Sequence, residues 1–149
     1  MKRYLKLIGW VFVVVLVGMQ LIPNQHNEYK PASSNDFIVL YSTPEDVASL
    51  LRAACYDCHS NQTNYPWYSK VQPINLLVAD HVNKGTAELN FSDFGQLSNR
   101  KKKMKKKSII REIEKGQMPL KSYSIIHKES QLSNSQKLSI TEYFQSQNN

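Results

Sequence analysis

The longest apolar run is Leu7 to Ile22, interrupted only by Gly9, Gly18 and Gln20. Downstream the apolar positions shorten and take on helical spacing. Phe37-Ile38-Val39-Leu40 is a brief apolar patch with no second segment of similar strength to pair with. It reads as an extended piece packed on a helical core. Thr43-Pro44-Glu45-Asp46 predicts a helix start, with a hydroxyl cap, Pro in first position and acids in the first turn. Val47, Leu50, Leu51, Ala54 and Cys58 follow at helical spacing. A second helix is predicted over Pro73 to Lys84 with Gly85 as its stop, and a third over about Ser98 to Lys115 closed by Gly116. A fourth runs from Ser133 to Phe144, opened by the capping-box pattern Ser133-Asn134-Ser135-Gln136, with Leu138, Ile140 and Phe144 pointing inward. Strands do not alternate with helices and no internal repeat is visible, so the expected class is all-α.

Charge changes the picture at the N-terminus. The chain of 149 residues has net charge +7, and Lys2, Arg3 and Lys6 precede the apolar run while no acid appears before Glu28. The run is slightly short of the ~20 residues that cross a hydrocarbon core, and Tyr4 and Leu5 can extend it. Two readings compete: an uncleaved transmembrane anchor, and a signal peptide removed after export. Gly18-Met19-Gln20 is a poor cleavage site, which favours the anchor. The basic residues would hold the N-terminus in the cytoplasm and place the rest outside, on the periplasmic side. The expected organisation is an anchor over 1–23, a linker over 24–42 beginning at Asn24 and Gln25, and one helical domain over 43–149.

Two cysteines are too few for a disulfide scaffold or a four-cysteine zinc site. Both lie in Cys55-Tyr56-Asp57-Cys58-His59, the c-type haem attachment pattern. Thiols three positions apart on a helical turn reach both vinyl groups of one porphyrin. The imidazole that follows then lies under the iron as proximal ligand. A redox dithiol is a weaker reading, because that motif opens a helix after a strand. A zinc site would need adjacent Cys58 and His59 on one tetrahedral centre with Cys55. A structural bridge would close a very short loop and stabilise little.

Beyond the motif, Ser60-Asn61-Gln62-Thr63, Tyr65-Pro66-Trp67-Tyr68, Leu89-Asn90-Phe91-Ser92 and Gly116-Gln117-Met118-Pro119, followed by Tyr123 and His127, occur in this order. With Cys55 to His59 they resemble the bacterial haem-binding domain family of small, cytochrome c-like proteins. The resemblance covers about Thr43 to Phe144. It departs at Leu120, where the family commonly has a second proline. It implies a cytochrome c-like fold, covalent haem c and a membrane-anchored or exported location, and says little about a partner.

The sixth iron ligand is sought among Met118, Met104, His81, His127 and His26. Met118 follows the helix-stopping Gly116 and precedes Pro119, a restricted loop suited to pointing a thioether at the iron. Met104 falls opposite Ile109, Ile110 and Ile113 at 100° per residue and sits among lysines. His127 follows the apolar pair Ile125-Ile126, expected near the haem, and is the rival. His81 reads as an ordinary helix side chain and His26 as a solvated linker residue. Trp67 and Tyr68, with Tyr65, are expected to wall the pocket. Arg100 to Lys107 holds seven basic residues around Met104. It reads as a solvated helix face or a docking patch for an acidic redox partner or anionic lipid, and not as a nucleic-acid site. The expected function is membrane-anchored electron transfer with His59 and Met118 on the iron and no enzymatic chemistry. Peroxidase-like activity and a haem sensor or assembly module are the alternatives.

Overall fold

Two of the long helices, those beginning at Asn99 and Asn134, open where a serine side chain satisfies orphan backbone groups. The computed structural model describes residues 2–23 and 26–147, and all regular structure within them is helical. Asn24 and Gln25, which open the expected linker, lie outside the described residues, as do the terminal Met1, Asn148 and Asn149. The main helices are α1 (Lys2–Met19), α2 (Phe37–Leu40), α3 (Glu45–Leu51), α4 (Asp57–His59), α5 (Ile74–Glu88), α6 (Asn99–Glu114), α7 (Lys121–Ile126) and α8 (Asn134–Ser146). A π-helical turn, Arg52–Tyr56, joins α3 to α4, and short 3₁₀ turns cover Trp67–Lys70, Phe91–Gln96 and Lys128–Ser130.

The expected caps of α6 and α8 are present. Ser98 accepts from the Lys101 amide, and Ser133 and Gln136 form the reciprocal capping box. Gly116 ends α6 with φ of +65°, the left-handed conformation that favours glycine. Other expectations need correction. Phe37–Leu40 is a helical turn, not an extended piece, because Asp36 caps it by accepting from the Ile38 amide at 3.0 Å. Pro44 is the extended cap of α3, not its first residue, and the Thr43 hydroxyl accepts instead from Tyr143 Oη at 3.0 Å. Gly85 does not stop α5, which continues to Glu88 until Leu89 turns extended. Leu138 is 57% exposed, while Ile140 and Phe144 are fully buried.

The core gathers Phe37, Leu51, Phe91, Phe94, Ile140 and Phe144, with Val47, Tyr56 and Ile113 around them. Phe37 is its centre: its ring meets Phe94 edge-on at 5.0 Å, Phe91 at 5.5 Å and Phe144 at 5.0 Å. Within the stretch read as a linker, Asp36 and Phe37 are therefore buried, and Lys30 donates its amide to the Asn61 carbonyl at 2.8 Å. α8 packs on α6 and α3, and α5 packs on α4, so the cysteine motif is held between the aromatic core and α5.

α1 spans about 27 Å at 1.5 Å per residue. Its apolar side chains are exposed along its length. Among the described residues no helix is long and apolar enough to cross a membrane. α1 ends against the domain through its flanking residue Gln20, whose side-chain amide makes two 3.1 Å bonds with the backbone of Gln72.

Candidate functional site

Helix α3 runs directly into the wider π-helical turn, and this carries Ala54, Cys55 and Tyr56 toward the interior. The residues between the cysteines are both fixed. Tyr56 is buried, stacks on Phe91 at 5.2 Å and donates to Asp36 at 3.0 Å. Asp57 accepts from Tyr123 Oη at 2.6 Å and from the Asn64 amide at 3.0 Å. The thiols and His59 then open onto adjoining cavities. One is lined by Cys55, His59, Leu89, Ile109, Ile113 and Met118, and its neighbour by Cys58, His59, Gly85, Met118, Leu120 and Tyr123.

The thiols are unbridged. Burial, with a smaller contribution from Cys58, pushes the Cys55 thiol up to about 12. Burial and the neighbouring Asp57 carboxylate push the Cys58 thiol up to about 11. Reactive dithiols have the opposite tendency, toward a stabilised thiolate. Among the described residues no group of three or more His, Cys, Asp or Glu side chains is placed to hold a metal ion.

His59 is oriented from behind. Its Nδ1 lies 2.9 Å from the Gly85 carbonyl and 3.2 Å from the Leu89 carbonyl. Carbonyls only accept, so Nδ1 carries the proton, and the lone pair is on Nε2. Such a bond to the far nitrogen fixes the tautomer and the ring orientation and so prepares an imidazole for metal ligation. The approach of α5 requires Gly85, since a Cβ there would lie 2.2 Å from the Cys58 carbonyl oxygen. Two thiols, one oriented imidazole and one thioether are thus spread over two adjoining, largely apolar cavities that share His59 and Met118. That donor set fits a haem that the two thiols would hold, with His59 and Met118 available to its iron.

The structure separates the other candidates. Met118 shares both cavities with His59, whereas Met104 is exposed on α6 away from them. His127 lies against a third cavity, with Tyr68, Leu77 and Cys58. Both of its ring nitrogens have partners, Tyr68 Oη on Nε2 at 2.5 Å and Glu129 on Nδ1 at 3.2 Å, and its ring stacks on Tyr123. Ile125 and Ile126 are exposed rather than buried beside it. His81 is exposed at the rim of two cavities. His26 is not a solvated linker residue: it stacks on Tyr65 at 3.8 Å and meets the Asn75 side-chain amide at 2.9 Å. Tyr65 and Tyr68 line the third cavity, and Trp67 stands 78% exposed outside these three.

The profile of the haem-binding domain family matches residues 14–146. The chain belongs to the haem-binding domain family. No curated protein and no solved structure matches it. The match takes in the aromatic core, the cysteine motif and Met118, and also the last third of α1 and the segment before α3. Sequence reasoning missed the residues through which this haem-binding domain orients its histidine. Backbone carbonyls at Gly85 and Leu89 have no side-chain signature. The trace available was a glycine inside a helical pattern, which marks close backbone approach as readily as a helix end.

Proposed function

We propose that this haem-binding domain is a c-type electron carrier held at a membrane, with one haem fixed through Cys55 and Cys58. The observation that carries the reading is the pair of adjoining cavities, one at each thiol, that have His59 and Met118 in common, with His59 Nδ1 already committed to backbone carbonyls. When bound, the haem supplies an iron that alternates between ferrous and ferric and so carries one electron. The thioethers of Cys55 and Cys58 keep it from dissociating. His59 would hold the iron through Nε2, and Met118 would supply a thioether of the kind that favours the reduced state and raises the potential. Leu89, Phe91, Ile109 and Ile113 line the cavity at Cys55 and exclude water from it. No general base or substrate is assigned.

α1 is read as the membrane-embedded segment, with Lys2, Arg3 and Lys6 reaching the cytoplasmic headgroups along their aliphatic stems. The haem-binding domain then lies on the periplasmic side. The basic run docks an acidic redox partner through Arg100, Lys101, Lys103 and Lys107, which are exposed. Lys105 is paired with Glu88 at 2.7 Å, and Lys106 is turned inward to the Gln147 carbonyl and the Tyr41 ring.

The deciding experiment is a pyridine haemochrome spectrum of protein made with a c-type maturation system. About one haem per chain should survive denaturation and acid–organic extraction. Complete extraction of the pigment would overturn covalent attachment. Carbon monoxide added to the reduced protein separates a closed electron carrier from a peroxidase-like open iron, since Met118 should block it.

A further inference from the structure

Helix α6 carries its charges unevenly. Lys101, Met104, Ser108 and Arg111 recur at spacings of three and four residues and so share one face. With Lys105 and Lys107 they form one wall of an open groove of about 810 Å³. The end of α5 and the segment after it form the opposite wall, through Glu88, Asp93 and Leu97. The two carboxylates of that wall are already engaged. Glu88 pairs with Lys105 at 2.7 Å, and Asp93 accepts from Asn61 at 3.3 Å and from Asn90 and Gln96 at 3.0 Å each. Lys101 and Lys107 are exposed and pair with no carboxylate among the described residues. The carboxylate that meets Arg111 is that of its sequence neighbour Glu112, at 3.1 Å. The α6 wall thus keeps unanswered positive charge around Met104, which is 60% exposed. An apolar side chain ringed by charges has the make-up of an interface centre with its polar rim. The groove also adjoins the candidate site. Glu88, Leu89, Lys105 and Ser108 line both the groove and the cavity of Cys55, His59 and Met118.

We infer that this groove receives an acidic segment of a protein redox partner, its carboxylates along Lys101, Lys107 and Arg111 and an apolar side chain on Met104. The inference rests on the reading of the basic run as a docking patch. It narrows the contact to one face of α6 and adds Arg111, which lies beyond the run. Charge decides the occupant. Three cations with no carboxylate across the groove call for an anion. A bilayer surface would press its phosphates on Glu88 and Asp93 as well, whereas an extended chain in the groove can keep its carboxylates to the α6 side. Exposed ion pairs are individually weak and screened by salt, so the contact suits a short-lived encounter.

Fluorescence anisotropy tests this, with full-length protein in a neutral detergent and a fluorescein-labelled peptide of glutamates around one central leucine. Retained helicity by circular dichroism verifies that each variant folds. Binding at low ionic strength, lost as salt is raised, is expected. Lys107→Glu and Arg111→Glu should each weaken it roughly fivefold. Lys103→Glu makes the same charge change in the run but outside the groove, and should weaken it less than about twofold. Serine in place of the central leucine should weaken binding roughly fourfold, and this difference should vanish in Met104→Ala. Equal weakening by Lys103→Glu and Lys107→Glu, or a leucine effect that survives in Met104→Ala, would overturn the groove and leave the run standing as a docking patch. No binding, or binding that none of the variants changes, would overturn both. Displacement of the peptide by dihexanoylphosphatidylglycerol and not by dihexanoylphosphatidylcholine would assign the groove to lipid headgroups and overturn the protein partner. None of these readouts depends on the haem.

Discussion

Gly85 and Gly116 make different demands on the chain. At Gly85 the constraint is space, since an added methyl would collide with the backbone of Cys58. Gly85→Ala should cost about 1–3 kcal/mol, the range of overpacking, and should also loosen the grip on His59. At Gly116 there is room for a Cβ, but φ is +65°. Gly116→Ala should cost roughly 1–2 kcal/mol, from the left-handed backbone alone. Thermal melting ranks the two, and an altered haem spectrum should accompany the first only. Met118→Ala should open the iron to carbon monoxide, remove the weak red-end absorption of the oxidised form and lower the potential, with the haem still attached. Met104→Ala should do none of these. An unchanged band and potential in Met118→Ala would move the ligand elsewhere, and His127→Ala would be the next test. The thiols supply a pH test in haem-free protein. Both are raised, so the alkylating thiolate forms only well above the usual thiol range. Iodoacetamide labelling should be slow at pH 8 and accelerate toward pH 11, with Cys58 ahead of Cys55. Rapid labelling near pH 7 would mean that the thiols are not held in the buried setting described.

At the level of elements, α8 tests what its sequence promised. Ser133→Ala removes the capping box and should cost about 1 kcal/mol. Leu138→Lys should be nearly neutral, because this face of α8 meets water despite its leucine. Chemical denaturation of both variants measures the difference. The legible parts of the fold were those determined by local chemistry: the caps at Ser98 and Ser133, the stop at Gly116, and the phase of Ile113 against Met104. The illegible parts depend on distant partners. Phe37–Leu40 folds into a turn because Asp36 is fixed by Tyr56 and Gln62 as well as by the Ile38 amide. His26 is immobilised by Tyr65 and Asn75, far along the chain. Lys106 differs from its neighbours because the end of α8 reaches it, and no property of a lysine run predicts which member turns inward. In the candidate site, the thiols, His59 and Met118 could be singled out from their side chains. The orientation of His59 comes from backbone carbonyls and could not.

Across the whole molecule, the aromatic core and the haem crevice share residues, so stability and cofactor retention are linked. Phe91 stacks on Tyr56 in the core and also lines the crevice beside Cys55. Phe37→Ala, at the centre of the core, should cost about 3–5 kcal/mol and should lower haem occupancy without touching a ligand; melting temperature and haem content measured on one preparation check the link. The two positions between the cysteines deserve a different conclusion from the one their variable notation suggests. Tyr56 is bolted to Asp36 and Phe91, and Asp57 to Tyr123 and Asn64, so these neighbours tie the motif to opposite halves of the chain. The pentapeptide is therefore not an interchangeable cassette. Replacing Tyr56 and Asp57 with alanines preserves both thiols and the imidazole, yet should leave a protein that acquires its cofactor poorly and melts early. Grafting experiments that transplant only the cysteines and histidine would carry the chemistry without the joinery.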